Sequence, residues 1–236
     1  MSGHDAGVRI IAHRTCPLDA AENSIAGIRR AAELGADYVE VDVRRTRDGV
    51  PVLMHDPLLI RTAGSWLPVR LASSRVLGRS RLRGNGEPVP TFAAALAALP
   101  DRLGMAVDIK HASAAAPTLD EVERQGKQDR VLLWSQHMSA ATYLADHAVG
   151  VEVALLRDTF NERATEEFLD DAARIGVHAV SVHEGVLTEG LVDEARERGL
   201  GVYSWVRNPD QHEEKMATGL LGLITDYPLE AQRLLG

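Results

Sequence analysis

The stretch VEVDVRRTRDGVPVLMHD, residues 39–56, sets two acids and a histidine where they could do chemistry. Glu40 and Asp42 alternate with Val39, Val41 and Val43, and two residues apart on a strand both carboxylates point to one face. Sharing a buried face, they repel unless a cation or a proton neutralises them. A divalent ion is the simplest answer, with Asp108 of MAVDI (105–109) as a third ligand from a neighbouring strand. Carboxylate-only ligation favours Mg2+ or Ca2+ over Zn2+. The competing answer is that one acid faces outward and the other pairs with an arginine. The metal reading depends on 38–43 lining a barrel interior, where unpaired charge is costly.

His13 and His55 suit an acid/base pair, because an unperturbed imidazole titrates near neutral pH. Arg14 and Lys110 are candidates for holding phosphate oxygens, Arg14 through its bidentate fork. Their alternative is a salt bridge to the same carboxylates. Trp205 is a candidate substrate wall, although an aromatic with Tyr203 two residues earlier is more often core packing. Gln136 and His137 follow a further apolar run.

These groups must be positioned by alternating apolar and amphipathic runs. The pattern predicts strands at 8–12, 38–43, 105–109, 130–134, 151–155, 178–182, 200–205 and 221–225. It predicts helices near 22–34, 91–99, 117–125, 139–147, 162–174, 188–198, 209–218 and 229–235. Ser139 and Asn161 read as N-caps, Pro117 and Pro209 as first-turn residues, Gly35 and Gly199 as stops. Eight strand–helix pairs in one chain of this length predict a single-domain (β/α)8 TIM-type barrel, with reactive groups at the C-terminal ends of the strands. A doubly wound open sheet is the second architecture. The first turn, AHRTCPLD, lacks the G-x-G-x-x-G of a dinucleotide fold.

PVLM (51–54) is too close to 38–43 for a parallel crossover, and Asp48-Gly49 is a hairpin signal. It therefore reads as an antiparallel return leg that carries His55 back to the acids. Residues 57–90 read as a small insertion or cap after this hairpin. Its first thirty residues carry arginines 61, 70, 75, 79, 81 and 83 and no acid. Steering an anionic substrate is one use of such an island, and a solvated surface is another.

A net charge of −8 argues against a nucleic-acid partner. Cys16 is the only cysteine, so no intramolecular disulfide forms. No apolar run reaches signal-peptide or membrane-span length, so the expectation is a cytoplasmic, soluble protein with no stable membrane insertion.

With these residues in view, the chain resembles the glycerophosphodiester phosphodiesterase family along nearly its whole length. IIAHRTCPLDAAENS is similar to the family's His-Arg-Gly…Glu-Asn-Thr opening, and residues 39–56 to its Glu-x-Asp hairpin ending in His-Asp. VPTFAAAL, MAVDIKH, VYSWVRN and GLITDYP follow in the family's order. The resemblance implies a divalent cation on Glu40, Asp42 and Asp108, with His13 and His55 as general acid and base. It also implies phosphate contacts from Arg14 and Lys110, and a small phosphodiester as the partner. In such enzymes a neighbouring substrate hydroxyl attacks phosphorus to give a cyclic phosphate that water then opens. Three departures stand out: Thr15 for the usual glycine, Asp108 for the commoner Glu, and Val206 where a threonine follows the tryptophan.

Two rivals accompany the expected hydrolysis of glycerophosphodiesters to glycerol 3-phosphate and an alcohol. One is a lysophospholipase D or phospholipase D-like lyase acting on lipid phosphodiesters. The other is an inactive phosphodiester-binding barrel, against which the retained His13 and His55 speak.

Overall fold

The computed structural model describes residues 7–157 and 162–236. Nine strands form one sheet: β1 (Arg9–Ala12), β2 (Tyr38–Arg45), β3 (Pro51–Leu53), β4 (Gly104–Ile109), β5 (Val131–Ser135), β6 (Glu152–Leu156), β7 (Ala179–His183), β8 (Gly201–Trp205) and β9 (Gly222–Thr225). All but β3 run parallel in the order β1-β9-β8-β7-β6-β5-β4-β2, and β1 pairs back with β2. That last pairing closes an eight-stranded barrel and excludes the open sheet.

Outside it lie α1 (Ile25–Glu33), α4 (Phe92–Ala97), α5 (Ala115–Arg124), α6 (Met138–His147), α7 (Glu162–Ile175), α8 (Glu189–Glu197), α9 (His212–Met216) and α10 (Pro228–Arg233). Two short helices, α2 (Ile60–Ala63) and α3 (Ser74–Leu77), lie between β3 and α4. Among the described residues no helix is long and apolar enough to cross a membrane.

The barrel strands separate two cores. Val39, Val41 and Val43 are fully buried against the helix layer, in the same cluster as Ile28, Phe92 and Leu96. The opposite parity fills the barrel: Ile11, Ala106, Leu132, Trp134, Ala154, Ala179, Tyr203 and Ile224 form one cluster. Glu40 is paired with Ala106 and therefore points into the barrel. The acids replace apolar residues on the inward face of β2, while its valines bury the outward one. At the floor, the hydroxyl of Tyr203 donates to Glu152, which also pairs with Arg9 at 2.9 Å. Tyr203 is thus barrel core, with Trp134 packed on it at 5.1 Å.

The hairpin closes as its Asp48-Gly49 pair requires. Val43 faces Leu53 and Arg45 faces Pro51 in an antiparallel ladder. Gly49 sits at φ +89, a conformation that favours glycine. From Val52 of β3 onward the chain builds a separate small core with Met54, Leu59, Val69, Ala72 and Leu77.

Gly35 and Gly199 follow α1 and α8 at φ +84 and +74, as stop residues do. The N-cap reading of Ser139 is corrected: α6 begins at Met138, and its cap position is His137, with no side-chain cap bond. The His137 ring and amide are already engaged by Lys110 O and Ser135 Oγ, which starts the helix one residue early. Asn161, the other expected cap, lies outside the described residues.

Candidate active site

The site starts with a strained turn. After β1, the backbone of Arg14, Thr15 and Cys16 adopts φ of +40, +62 and +61. A β-branched residue enters that left-handed region only at a cost of order 1–3 kcal/mol. Compensating contacts hold it there. Arg14 N donates to Glu40 Oε2 at 2.7 Å, and Ser24 N donates to Thr15 Oγ1 at 3.2 Å. The glycine position of the family pattern is thus occupied by a threonine whose hydroxyl helps fasten the turn to α1.

His13 stands at the head of this turn, with Nδ1 2.7 Å from Asp226 Oδ1, just past the end of β9. Its ring lies 4.5 Å from that of Trp205, centroid to centroid. His55, at the end of the return leg, places Nδ1 2.7 Å from Asp56 Oδ1. A carboxylate only accepts, so in each pair the proton sits on Nδ1 and the other ring nitrogen, Nε2, is left for chemistry. Asp56 is shared with Arg61, which also binds Glu22, whereas Asp226 pairs only with His13 among the described residues. Burial lowers the His55 pKa, outweighing Asp42 and Asp56, which raise it.

Glu40, Asp42 and Asp108 offer carboxylate oxygens that all lie within 4.8 Å of one another, and all three residues are buried. Asp42 and Asp108 are register partners on adjacent parallel strands. Lys110 Nζ contacts both, at 2.8 Å from Asp42 Oδ1 and closer to Asp108 Oδ2. Arg14 Nε lies 3.5 Å from Asp42 Oδ2. The cations therefore pair with the acids, Arg14 with Asp42 and Lys110 with Asp42 and Asp108.

The electrostatics follow. Burial and then Asp42 push Glu40 well above the usual carboxylate range. Burial raises Asp108 as well, only partly offset by Lys110. Burial also works against ionised Asp42, but Lys110 and Arg14 outweigh it and hold its pKa at about 2. The Lys110 ammonium, desolvated but flanked by Asp42 and Asp108, is pushed upward.

A hard divalent cation fits this donor set. Asp108 Oδ1 is buried and has no hydrogen-bond partner, a costly state for a carboxylate oxygen. Three acids against Lys110 and Arg14 also leave negative charge that a cation would neutralise.

All eight predicted residues line one pocket of about 140 Å³: His13, Arg14, Glu40, Asp42, His55, Asp108, Lys110 and Trp205. Gln136 joins them, and so do Arg157, Ser181 and His183 on the facing wall. His137 is turned to the backbone of Lys110 instead. The volume is below the roughly 300 Å³ of sites for drug-sized ligands, so it suits the reacting end of a small molecule.

Three positioning residues were missed in the sequence. Asn23 donates to Asp42 Oδ2 at 2.7 Å and accepts from Asp42 N at 2.8 Å, clamping the acid from both sides. It sits at φ +55, which Asn tolerates better than most residues. Asp56 and Asp226 orient the two histidines. A rule of reading one residue past each strand end would have found Asp226. Asn23 belongs to the Glu-Asn-Ser segment that resembles the family's opening, but nothing local names Asp42 as its partner.

The sequence matches the model of the glycerophosphoryl diester phosphodiesterase family over residues 13–230. The chain belongs to that family. A glycerophosphodiester phosphodiesterase of Caldanaerobacter subterraneus is 26% identical over 232 residues, covering 93% of this chain and 94% of that one. A Mycobacterium tuberculosis relative is 42% identical over 113 residues, and the match spans 48% of this chain and only 42% of that protein. Among solved structures, a glycerophosphodiester phosphodiesterase from Parabacteroides distasonis superposes with a TM-score of 0.83 at 26% identity, covering 97% of both chains. An Oleispira antarctica phosphodiesterase, solved with the product sn-glycerol-3-phosphate, shares the fold at a TM-score of 0.86 and 20% identity, covering 96% of both chains.

Proposed function

We propose that this member of the glycerophosphoryl diester phosphodiesterase family hydrolyses small glycerophosphodiesters to glycerol 3-phosphate and an alcohol. The observation that carries the reading is the facing of two carboxylate-backed histidines, His13 and His55, across one pocket that also holds Glu40, Asp42 and Asp108. A site with two such imidazoles is equipped for proton transfer, which a pure binder does not need.

His55 is the base. Burial favours its neutral form, and Nδ1–H on Asp56 leaves Nε2 to take the proton of the attacking hydroxyl. That hydroxyl is the substrate's own neighbour of the phosphate, and its attack forms a cyclic phosphate. His13, held by Asp226, delivers a proton to the departing alcohol oxygen. In the second half the roles reverse: His13 takes a proton from water and His55 returns one to the glycerol oxygen as the ring opens.

Glu40, Asp42 and Asp108 hold a divalent cation, Mg2+ or Ca2+, which when bound supplies charge stabilisation at the phosphoryl oxygens and acidifies a nearby hydroxyl. Arg14 and Lys110, paired with Asp42 and Asp108, are at hand to contact the phosphate once the acids have another counter-ion. Trp205 walls the pocket beside His13.

The test is turnover of glycerophosphocholine with and without chelator, for the wild type and for His13→Ala and His55→Ala, followed by phosphorus NMR. Hydrolysis that needs the divalent ion and both histidines, with glycerol 3-phosphate as product, supports the reading. Equal rates in every condition reject it, and accumulation of a cyclic phosphate identifies a lyase.

A further inference from the structure

Residues 57–86 hold six arginines and no acid, in a chain of net charge −8. The acids nearest to them are already engaged. Glu22 and Asp56 bind Arg61, Asp48 accepts from the amide and hydroxyl of Ser74, and Glu87 accepts from the first amides of α1. Arg70, Arg75 and Arg79 are exposed and have no carboxylate partner among the described residues. Interleaved with them are three large apolar side chains facing water: Trp66 at 79% exposure, Leu71 at 55% and Val76 at 44%.

The exposure of these residues is fixed by their buried neighbours. Val69, Ala72 and Leu77 are buried in the small core under the insertion, so their exposed neighbours cannot fold inward without opening it. Trp66 is carried on a stretch that pairs with the chain leaving His55. Leu59 N donates to Leu67 O at 3.3 Å, and Val69 N donates to Pro57 O at 3.0 Å. Exposed indole, aliphatic and guanidinium groups together match one environment well. Indole rings favour the level of lipid headgroups, and clustered arginines are drawn to an anionic leaflet.

We propose that the outer side of this insertion docks the enzyme peripherally on an anionic lipid surface. Trp66, Leu71 and Val76 enter the headgroup layer, and Arg70, Arg75 and Arg79 meet its phosphates. A nucleic acid fits less well: it offers no apolar layer for Leu71 and Val76, and the acidic remainder of the chain repels a long polyanion. Docking is independent of which phosphodiester is cleaved, and binding is measured without turnover.

The experiment is cosedimentation of the full chain with vesicles of phosphatidylglycerol or of phosphatidylcholine. Tryptophan emission is recorded in parallel. Of the three tryptophans, Trp134 is 1% exposed and Trp205 is half-buried in the pocket, so the part of a blue shift that disappears in Trp66→Phe reports on Trp66. The expected result is binding to phosphatidylglycerol with a blue shift. Binding should weaken at least tenfold in Trp66→Ala and in the triple Arg70→Gln, Arg75→Gln, Arg79→Gln variant, and be lost at about 1 M salt. Trp66→Phe should bind, and all variants should melt like the wild type. Absent or equal binding to both vesicles, indifference to Trp66→Ala, or preference for a single-stranded oligonucleotide over the vesicles would each overturn the proposal.

Discussion

Asp42 and Asp108 stand opposite each other on adjacent parallel strands, and the amine of Lys110 contacts both carboxylates. Equal parity on neighbouring strands makes this unavoidable once both acids point inward. One ammonium then serves two acids, with Glu40 close behind and Asp108 Oδ1 left without a partner. The arrangement is under-neutralised, and several measurable consequences follow from that and from the groups around it.

The first concerns ion binding. A cation that binds only the folded chain at a hundred times its Kd adds about 2.7 kcal/mol of stability. For a protein of this size that corresponds to about 5–10 °C in Tm. Adding Mg2+ or Ca2+ should raise the melting temperature of the wild type by this order, and Asp108→Asn should lose the response. A flat titration in the wild type would refute the carboxylate site.

Asp226 acts on His13 through a single 2.7 Å contact. Asp226→Asn keeps the shape but replaces an acceptor with a group that can donate, so the ring loses its fixed tautomer. We expect kcat to fall about 100-fold with KM little changed, the usual worth of a positioned acid/base group. A merely structural role would instead lower the melting temperature and spare the pH profile.

The pH dependence follows from His55. Its pKa lies below the ordinary 6.5 because burial disfavours the charged ring. Between the two values the unfolded chain binds the proton and the folded chain does not. This group's contribution to stability is therefore present above 6.5 and is lost as pH falls through that window. The acid limb of kcat/KM should lie below 6.5, and it should disappear from the profile of His55→Ala, whose residual rate is followed with a reactive aryl phosphodiester.

Gly27 answers the strained turn. A Cβ there would lie 2.1 Å from the carbonyl oxygen of Thr15, a backbone atom that cannot swing away. Gly27→Ala should cost about 3 kcal/mol, at the upper end of overpacking penalties, because α1 or the turn must move. Since the turn carries Arg14 and its bond to Glu40, activity should fall with stability. Denaturant unfolding of the variant checks the first, and steady-state rates check the second.

Much of the site was legible because its signals are local. Alternating acids and valines identify a strand with two different faces, and Asp48-Gly49 dictates the turn that returns His55. Eight apolar runs separated by amphipathic ones predict the barrel, and strand-end residues predict the rim. Closure itself was not legible: it rests on the pairing of β1 with β2, which periodicity cannot distinguish from an open edge. The cap at Ser139 failed because tertiary bonds to His137 begin α6 earlier than local propensity does.

Sequence alone thus determined which candidate groups the chain carries, since residue types and spacing of two fix which groups share a face. Tertiary structure alone decided who holds whom. Asn23 reaches Asp42 across nineteen residues and Asp226 reaches His13 across more than two hundred, by contacts that exist only once the barrel closes. Whether Arg14 and Lys110 face carboxylate or solvent is likewise a matter of distances between strands, and those distances exist only in the folded chain.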